Sequence, residues 1–313
     1  MAIRIFFLML ISLILAGCNL GDEPGAAASA STLPTPVFIR VDYTQAENPA
    51  AVQAQEAPED NPTDLPQAMV DRLRAIYADG LAKGKRAGVF SKVGDSITVS
   101  QNFLTPIGYG QVNLAQFTHL QPTIEYFTQA VARQGNAFVN PSLAAGVGWA
   151  AWGVLDPELA DATWCGAGES PLACEYRVVK PTIALIMFGT NDSGYRTSEQ
   201  FRSDMQRIVQ YSLDEGIIPI LSTVPNRPEM PAIINSYNRV IGEIAASQNL
   251  PVWDYHSALR DLPNSGLTYD NIHPSSPPNA PETAADFQQL SYGYNVRNLT
   301  ALQMLDVILR VVG

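Results

Sequence analysis

Three short polar blocks carry residue types that could do chemistry together. Gly94-Asp95-Ser96, Gly189-Thr190-Asn191-Asp192 and Asp270-Asn271-Ile272-His273 supply a hydroxyl, an amide, a carboxylate and an imidazole. Acyl transfer needs this set. A serine hydroxyl is a poor nucleophile until a base takes its proton. An imidazole titrates near neutrality without heavy tuning. A carboxylate fixes the imidazole tautomer and stabilises its cation. Amide donors stabilise the oxyanion as it forms. Each block alone also has a structural reading. Ser96 can cap a helix, Asn191-Asp192 can be a plain turn, and His273 before Pro274 can be a loop histidine. Their joint occurrence in one chain weighs against that. Asp95 is expected to brace the turn. The other histidines are weaker candidates: His256 follows Asp254 by two, at a strand end suited to a structural Asp, and His119 has no partner nearby in sequence.

The residue patterns of competing chemistries are missing. Gly94-Asp95-Ser96-Ile97-Thr98 lacks the second glycine of a nucleophile elbow. None of the four lysines lies three residues after a serine, and there is no His-Glu-x-x-His or paired Cys-x-x-Cys. Gly146-Val147-Gly148 is not a dinucleotide fingerprint, because Ala151 holds the third glycine position. No metal or organic cofactor is implied.

The elements that must position these blocks alternate between helix and strand. Gln67–Lys83 is expected to be helical through Met69, Leu73, Ile76 and Leu81. Gly88–Val93 reads as a strand ending at the first block. Thr123–Arg133 and Trp149–Leu155 read as helices. Thr182–Phe188 is a continuous apolar run, suited to a parallel strand buried on both faces, and it ends at the second block. Ser198–Leu213 is an amphipathic helix, Ile217–Val224 a strand, Ala232–Ser247 a helix, Pro251–Asp254 a last strand and Asn298–Val311 a terminal helix. Such alternation predicts right-handed crossovers and a three-layer α/β/α domain with a central parallel sheet. Functional residues then gather at the carboxyl ends of strands, where the first two blocks stand. The third follows the last strand after a loop.

In this order the three blocks resemble the SGNH hydrolase superfamily, the GDSL-like serine esterases, over about residues 86–311, with 274–292 resembling an insertion. The resemblance implies a flavodoxin-like fold and a residue-by-residue assignment. Ser96 is the nucleophile, His273 the base and Asp270 the group that orients it. Asn191 gives its side-chain amide to the oxyanion, and the Ser96 backbone N–H is a second donor. The third donor is the N–H of a glycine that opens a helix after the second strand. Gly146 and Gly148 both stand there, and Gly148, seven residues before Leu155, fits the family spacing better. Trp149 departs from the small polar residues often found next.

The chain ends carry a different kind of information. Arg4 followed by the apolar run Ile5–Leu15 reads as a signal peptide, too short to span a hydrocarbon core of about 30 Å. Leu15-Ala16-Gly17-Cys18 resembles the bacterial lipobox, in which the cysteine receives a lipid. That implies a signal peptide over 1–17, a membrane anchor on Cys18 and an extracytoplasmic location. Residues 19–65 hold eight acidic side chains against one Arg, with seven prolines from Pro24 to Pro66 punctuating this stretch. Residues 18–65 are therefore expected to be a solvated linker before a catalytic domain over 66–313. The patch Val37–Val41 can be an edge strand or can dock on the domain. Cys165 and Cys174, nine positions apart in an oxidising compartment, are expected to pair. No basic block favours nucleic acid. The expected enzyme is a monomeric hydrolase of a small-molecule or glycan ester, with short-chain or carbohydrate-linked acetyl favoured. An acyltransferase using the same triad and a non-catalytic binding lipoprotein are the alternatives. A lipase would want an apolar lid, and 274–292 is Pro-rich and polar.

Overall fold

The computed structural model describes residues 34–39 and 63–313. Cys18 and the segment expected to be a signal peptide lie outside the described residues. In chain order the elements are β1 (Val37–Ile39), α1 (Gln67–Ala82), β2 (Arg86–Gly94), α2 (Ser96–Val99), α3 (Thr105–Gly108) and α4 (Gln121–Thr128). Then come α5 (Pro171–Val179), β3 (Pro181–Met187), α6 (Ser198–Asp214), β4 (Ile218–Ser222), α7 (Pro231–Ser247), β5 (Pro251–Trp253), α8 (Tyr255–Leu259) and α9 (Gly293–Val312). The strands form one sheet in the order β1-β5-β4-β3-β2, every pair parallel.

From β2 to β5 the chain steps across the sheet in one direction, so right-handed crossovers put α5, α6 and α7 on one face. The helices before and after that run, α1 and α9, pack against each other, with α4 against α9, and close the opposite face. A sheet covered on both faces must be apolar on both faces. Accordingly every residue of β3 and β4 is buried. β1 completes the edge beside β5, with Val37 opposite Pro251 and Ile39 opposite Trp253. The apolar patch at 37–39 is thus an edge strand, contributed from within the acidic segment.

One irregularity decides where the site lies. After β2 the chain does not pass directly to β3. It first runs to the outer edge, where Ala145 forms a parallel bridge to Gly94. The Gly94 N–H donates to Ala144 O at 3.2 Å and Gly146 N–H donates to Gly94 O at 3.1 Å. It then crosses back by α5 to β3 on the other side of β2. β2 is therefore the point where the chain changes direction, and ligands of open parallel sheets bind outside such points.

Several elements differ from the sequence expectation. The helix expected over Thr123–Arg133 ends at Thr128, because the chain turns back through a bridge between Val131 and Asn136. Trp149–Leu155 holds a 3-10 turn over Ala151–Leu155 rather than an α-helix, its first N–H tied to the Asp192 carboxylate. α9 begins at Gly293, five residues early. α5 lies in a stretch with no assigned element; Ser170 caps it and Pro171 starts it. Its Cys174 is joined to Cys165 with a Cα separation of 5.2 Å. Residues 274–292 lie against the body, with Ala284, Ala285 and Phe287 buried and the Phe287 N–H donating to Asn113 O at 2.9 Å.

Gly80, inside α1, touches the turn at Gly216. A Cβ at Gly80 would lie 2.1 Å from the Gly216 carbonyl oxygen, a backbone atom in a residue whose own φ is +70°. Gly80→Ala gains about 1 kcal/mol of helix propensity but forces two backbones apart, which costs about 1–3 kcal/mol and more where neither can yield. The overlap is deep, so a net loss is expected. Urea unfolding should show a lowered midpoint at unchanged slope; a raised midpoint would mean that the contact relaxes freely.

Candidate active site

The first block is built at the end of β2. Asp95 has extended backbone angles and caps α2, accepting the Ile97 N–H at 2.9 Å. Ser96 is thus the first residue of a four-residue helical turn, where a backbone N–H has no partner within the helix. Its side chain stands half-buried at the sheet's upper edge.

The third block is built by a narrow loop. Leu267 and Pro274 form an antiparallel bridge, the Thr268 N–H donates to His273 O at 2.8 Å, and Asn271 takes a left-handed φ of 57° at the tip. Asp270 Oδ1 accepts from the Thr268 hydroxyl at 2.6 Å, the Ile272 N–H at 2.9 Å and the His273 N–H at 3.0 Å. Its other oxygen meets His273 Nδ1 at 2.7 Å. Partial burial pushes the Asp270 carboxyl up, but these hydrogen bonds outweigh it and hold the group well below the usual carboxylate range. His273 Nε2 in turn lies 2.9 Å from Ser96 Oγ. Ser96, His273 and Asp270 therefore form one line of hydrogen bonds.

The second block stands beside them. Asn191 follows β3, and its amide donates to Trp149 O at 2.9 Å; that bond fixes the side chain and leaves its second N–H available. Asp192 is fully buried and accepts the Ala151 N–H through both oxygens, at 3.0 and 3.2 Å. It is an acceptor that ties the 149–155 loop to the β3 end. Of the two glycines, Gly146 spends its N–H on Gly94 O. Gly148 is exposed at φ 77°, a Cβ there would meet nothing, and its N–H has no acceptor among the described residues.

The other histidines are held elsewhere. His256 Nδ1 meets Val224 O at 2.9 Å, and Asp254 caps α8. His119 lies edge-on to Phe117. Among the described residues one cluster, Cys165, Glu169 and Cys174, groups metal-ligating atoms, but its sulfurs are joined to each other and are not thiolates.

Some contributors had no sequence signal. Arg227 donates to Thr190 O and Ser193 Oγ, at 2.7 and 2.8 Å, and so props the second block. Arg297, from α9, reaches under α2. At the rim, Trp152 Nε1 meets the Tyr195 hydroxyl at 3.3 Å. The pairing of Ala151 with Asp192 that brings those two rings together is not a sequence pattern.

A parallel sheet with hydroxyl, imidazole and carboxylate aligned at its switch point, and amide donors beside them, defines an α/β enzyme built for acyl transfer. The model of the GDSL-like lipase/acylhydrolase family matches residues 92–277; the chain belongs to that family and is an ester-hydrolysing enzyme of the SGNH kind. It is similar to a lipase/acylhydrolase structure from Enterococcus faecalis, at 21% identity, TM-score 0.44, with 69% of this chain and 93% of that one covered. It is also similar to a carbohydrate esterase family 3 protein from Talaromyces cellulolyticus, at 17%, 0.45, 69% and 97%. A third similar structure is a catalytic mutant of an acetylxylan esterase from Geobacillus stearothermophilus, at 17%, 0.45, 69% and 93%. No curated protein matches the sequence.

Burial pushes the Asp95 and Asp192 carboxyls up to about 6. An unfolded chain releases those protons near pH 4. Between about pH 4 and pH 6 the folded protein therefore holds more protons than the unfolded one, and these groups make stability fall as pH rises. Asp192→Asn keeps an acceptor for Ala151 and removes the titration. Its unfolding free energy should gain on that of the wild type by about 1–3 kcal/mol between pH 4 and pH 7. Chemical denaturation at both pH values measures this, and a difference that does not change with pH would contradict the assignment.

Proposed function

We propose that the protein hydrolyses oxygen esters through an acyl-enzyme on Ser96. The observation that carries this is the unbroken line of hydrogen bonds, 2.9 Å from Ser96 to His273 and 2.7 Å from His273 to Asp270. Ser96 Oγ attacks the ester carbonyl while its proton passes to His273 Nε2. The imidazolium returns that proton to the departing alcohol oxygen, leaving the acyl group on Ser96. Water then gives a proton to His273 and attacks the acyl carbon. The proton returns to Ser96 Oγ as the acid leaves. Asp270 keeps the Nδ1 proton in place and stabilises the imidazolium.

The oxyanion is assigned to the N–H groups of Ser96 and Gly148 and to the Asn191 amide. The free N–H of Gly148 supports it over Gly146, and the bond to Trp149 O means that Asn191 needs no reordering as charge develops. Asp192, turned to Ala151 and acceptor-only when ionised, has no part in it. Ser96→Ala is expected to lower kcat at least about 10³-fold with unchanged thermal unfolding; near-wild-type turnover would remove Ser96 as nucleophile.

For the substrate we favour a short-chain acyl group on a carbohydrate. Trp152 and Tyr195, 37% and 60% exposed, meet at the rim. Each lies four residues beyond an assigned oxyanion donor. Tyr195 also borders an open pocket of about 540 Å³ with Arg196, Thr197, Glu229 and Met230. Glu229 accepts from Asn271 at 3.2 Å, which places this pocket beside the Asp270–His273 loop. Flat rings beside charged and hydroxyl groups suit a sugar, which offers both C–H faces and hydroxyls, better than an acyl chain. Trp152→Ala and Tyr195→Ala should raise KM for an acetylated oligosaccharide about tenfold, the worth of one aromatic contact, and leave KM for 4-nitrophenyl acetate unchanged. Equal effects on both substrates, or better turnover of long-chain esters, would count against the glycan reading.

A further inference from the structure

α9 carries a feature that the proposed chemistry does not use. Arg297 is 1% exposed, among the most buried large side chains of the protein. It forms no direct ion pair with a carboxylate among the described residues. Its guanidinium lies 3.9 Å over the Phe103 ring, with the Trp253 and Tyr255 rings within 5.9 Å. Burying a guanidinium without a carboxylate partner is costly, so what it holds must matter to the fold or to the site.

What it holds is the nucleophile's turn. Arg297 Nη1 donates to Ile97 O at 2.5 Å and Nη2 to the Thr98 hydroxyl at 3.0 Å. Ile97 directly follows Ser96, and its N–H is the group that Asp95 accepts at 2.9 Å. The residue after Ser96 is thus gripped at both polar ends, the N–H by a buried carboxylate and the carbonyl by a buried guanidinium. The two charges feel each other across the turn, each with one polar atom left without a partner, Asp95 Oδ2 and Arg297 Nε. Neighbouring Asn298 extends the grip: it accepts the Leu104 N–H at 2.8 Å and donates to Asn102 O at 2.7 Å.

The same helix holds the other half of the site. One turn earlier, Gly293 N–H donates to Ser275 Oγ at 2.9 Å and Tyr294 N–H to Ser275 O at 3.0 Å. Ser275 lies two residues after His273. The first turn of α9 therefore fixes the histidine loop, and its second turn fixes the serine turn. Both ends of the bond between Ser96 and His273 are referenced to one rigid element.

We infer that Arg297 is a positioning residue: through Ile97 and Thr98 it sets the angle of Ser96 toward His273. The inference rests on the reading of Ser96 as nucleophile. It concerns the chemical step and not substrate binding, because a buried side chain beneath α2 touches no substrate. A misplacement of the nucleophile by a fraction of an ångström up to 1 Å costs about 10–100-fold in rate.

The test measures kcat and KM on 4-nitrophenyl acetate for wild type, Ser96→Ala, Arg297→Gln and Arg297→Lys, each well below its own melting temperature. Arg297→Gln should lose about 10–100-fold in kcat with KM within about twofold. Arg297→Lys retains a cationic donor on the same side of α2, and should recover to within about fivefold of the wild type. A structural role alone would lower the melting temperature and leave the kcat of the folded fraction intact. Wild-type kcat in folded Arg297→Gln, a loss expressed in KM, or a Lys variant no better than Gln would overturn the inference. Should neither Arg297 variant fold, Thr98→Val removes only the second acceptor at constant shape. It is expected to lower kcat about threefold to tenfold, an order-of-magnitude allowance for one lost contact, and an unchanged kcat would overturn the inference. Near-wild-type activity in Ser96→Ala defeats the underlying reading of the site; a Ser96→Ala lowered at least about 10³-fold beside a fully active Arg297→Gln defeats the positioning role alone.

Discussion

The structure depends on what happens at Gly94. There the chain pairs on one side with Met187 of β3 and on the other with Ala145, so the sheet is opened at its edge and a crevice forms above β2. The position admits no side chain: a Cβ would lie 2.3 Å from Thr98 Oγ1 and 2.6 Å from Met187 O. Because nothing larger than hydrogen fits, the turn carrying Ser96 can fold tightly back over the strand end. The strip at Ala144–Gly146 comes close enough to hydrogen-bond with Gly94. A side chain at Gly94 would separate these segments, and with them the three blocks that the crevice gathers.

Keeping that strip in place takes buried polar groups. Lys92, on β2, donates to Phe138 O at 2.7 Å. Glu175, on α5, accepts from Ser91 Oγ at 2.6 Å and from Leu143 N–H at 2.8 Å. Burial pushes the Lys92 ammonium down to about 8 and the Glu175 carboxyl up. Together with Asp95, Asp192 and Arg297, these charges cluster about the upper end of β2 and β3. Apolar residues of equal volume would often hold as well or better. What charged groups add is direction. Each fixes a particular N–H or carbonyl of a short turn or irregular segment that has no ladder partner, at Leu143, Phe138, Ile97 and Ala151. Irregular backbone near the site is buried, so its polar groups must be met by side chains.

The parts legible in the sequence are those whose signal is local. Thr182–Phe188 reads as a buried strand because both of its faces are covered, and Ser198–Leu213 as a helix because one face is. The three polar blocks stand out because each combines unusual residue types within four positions. The bridging strip at Ala145 is too short to show a period, and α5 hides because its buried side includes Glu175, whose partners lie 32 and 84 positions away. The early start of α9 is hidden for the same reason. Tyr294-Asn295-Val296-Arg297-Asn298 looks like a polar loop, since its Asn and Arg side chains are buried against backbone of distant segments. Long-range satisfaction of polar groups leaves no periodic trace, and it is those contacts that aim the site.

The two halves of the relay are held by different physics. Ser96 sits on a turn whose underside is packed and charged, in surroundings of low dielectric. His273 and Asp270 keep 40% and 35% of their side-chain surface exposed, where the attraction between imidazolium and carboxylate is screened and worth little by itself. Their alignment must therefore come from geometry. Three donors on Asp270, the Leu267–Pro274 bridge and the grip of α9 on Ser275 supply it. Because His273 and Asp270 are aligned by these contacts without being enclosed, their geometry does not depend on a cover that excludes water. Among the described residues the Pro-rich segment 274–292 is packed on the body and contributes Ser275 to that rigidity. The segment that resembles an insertion thus acts as a brace for the histidine loop.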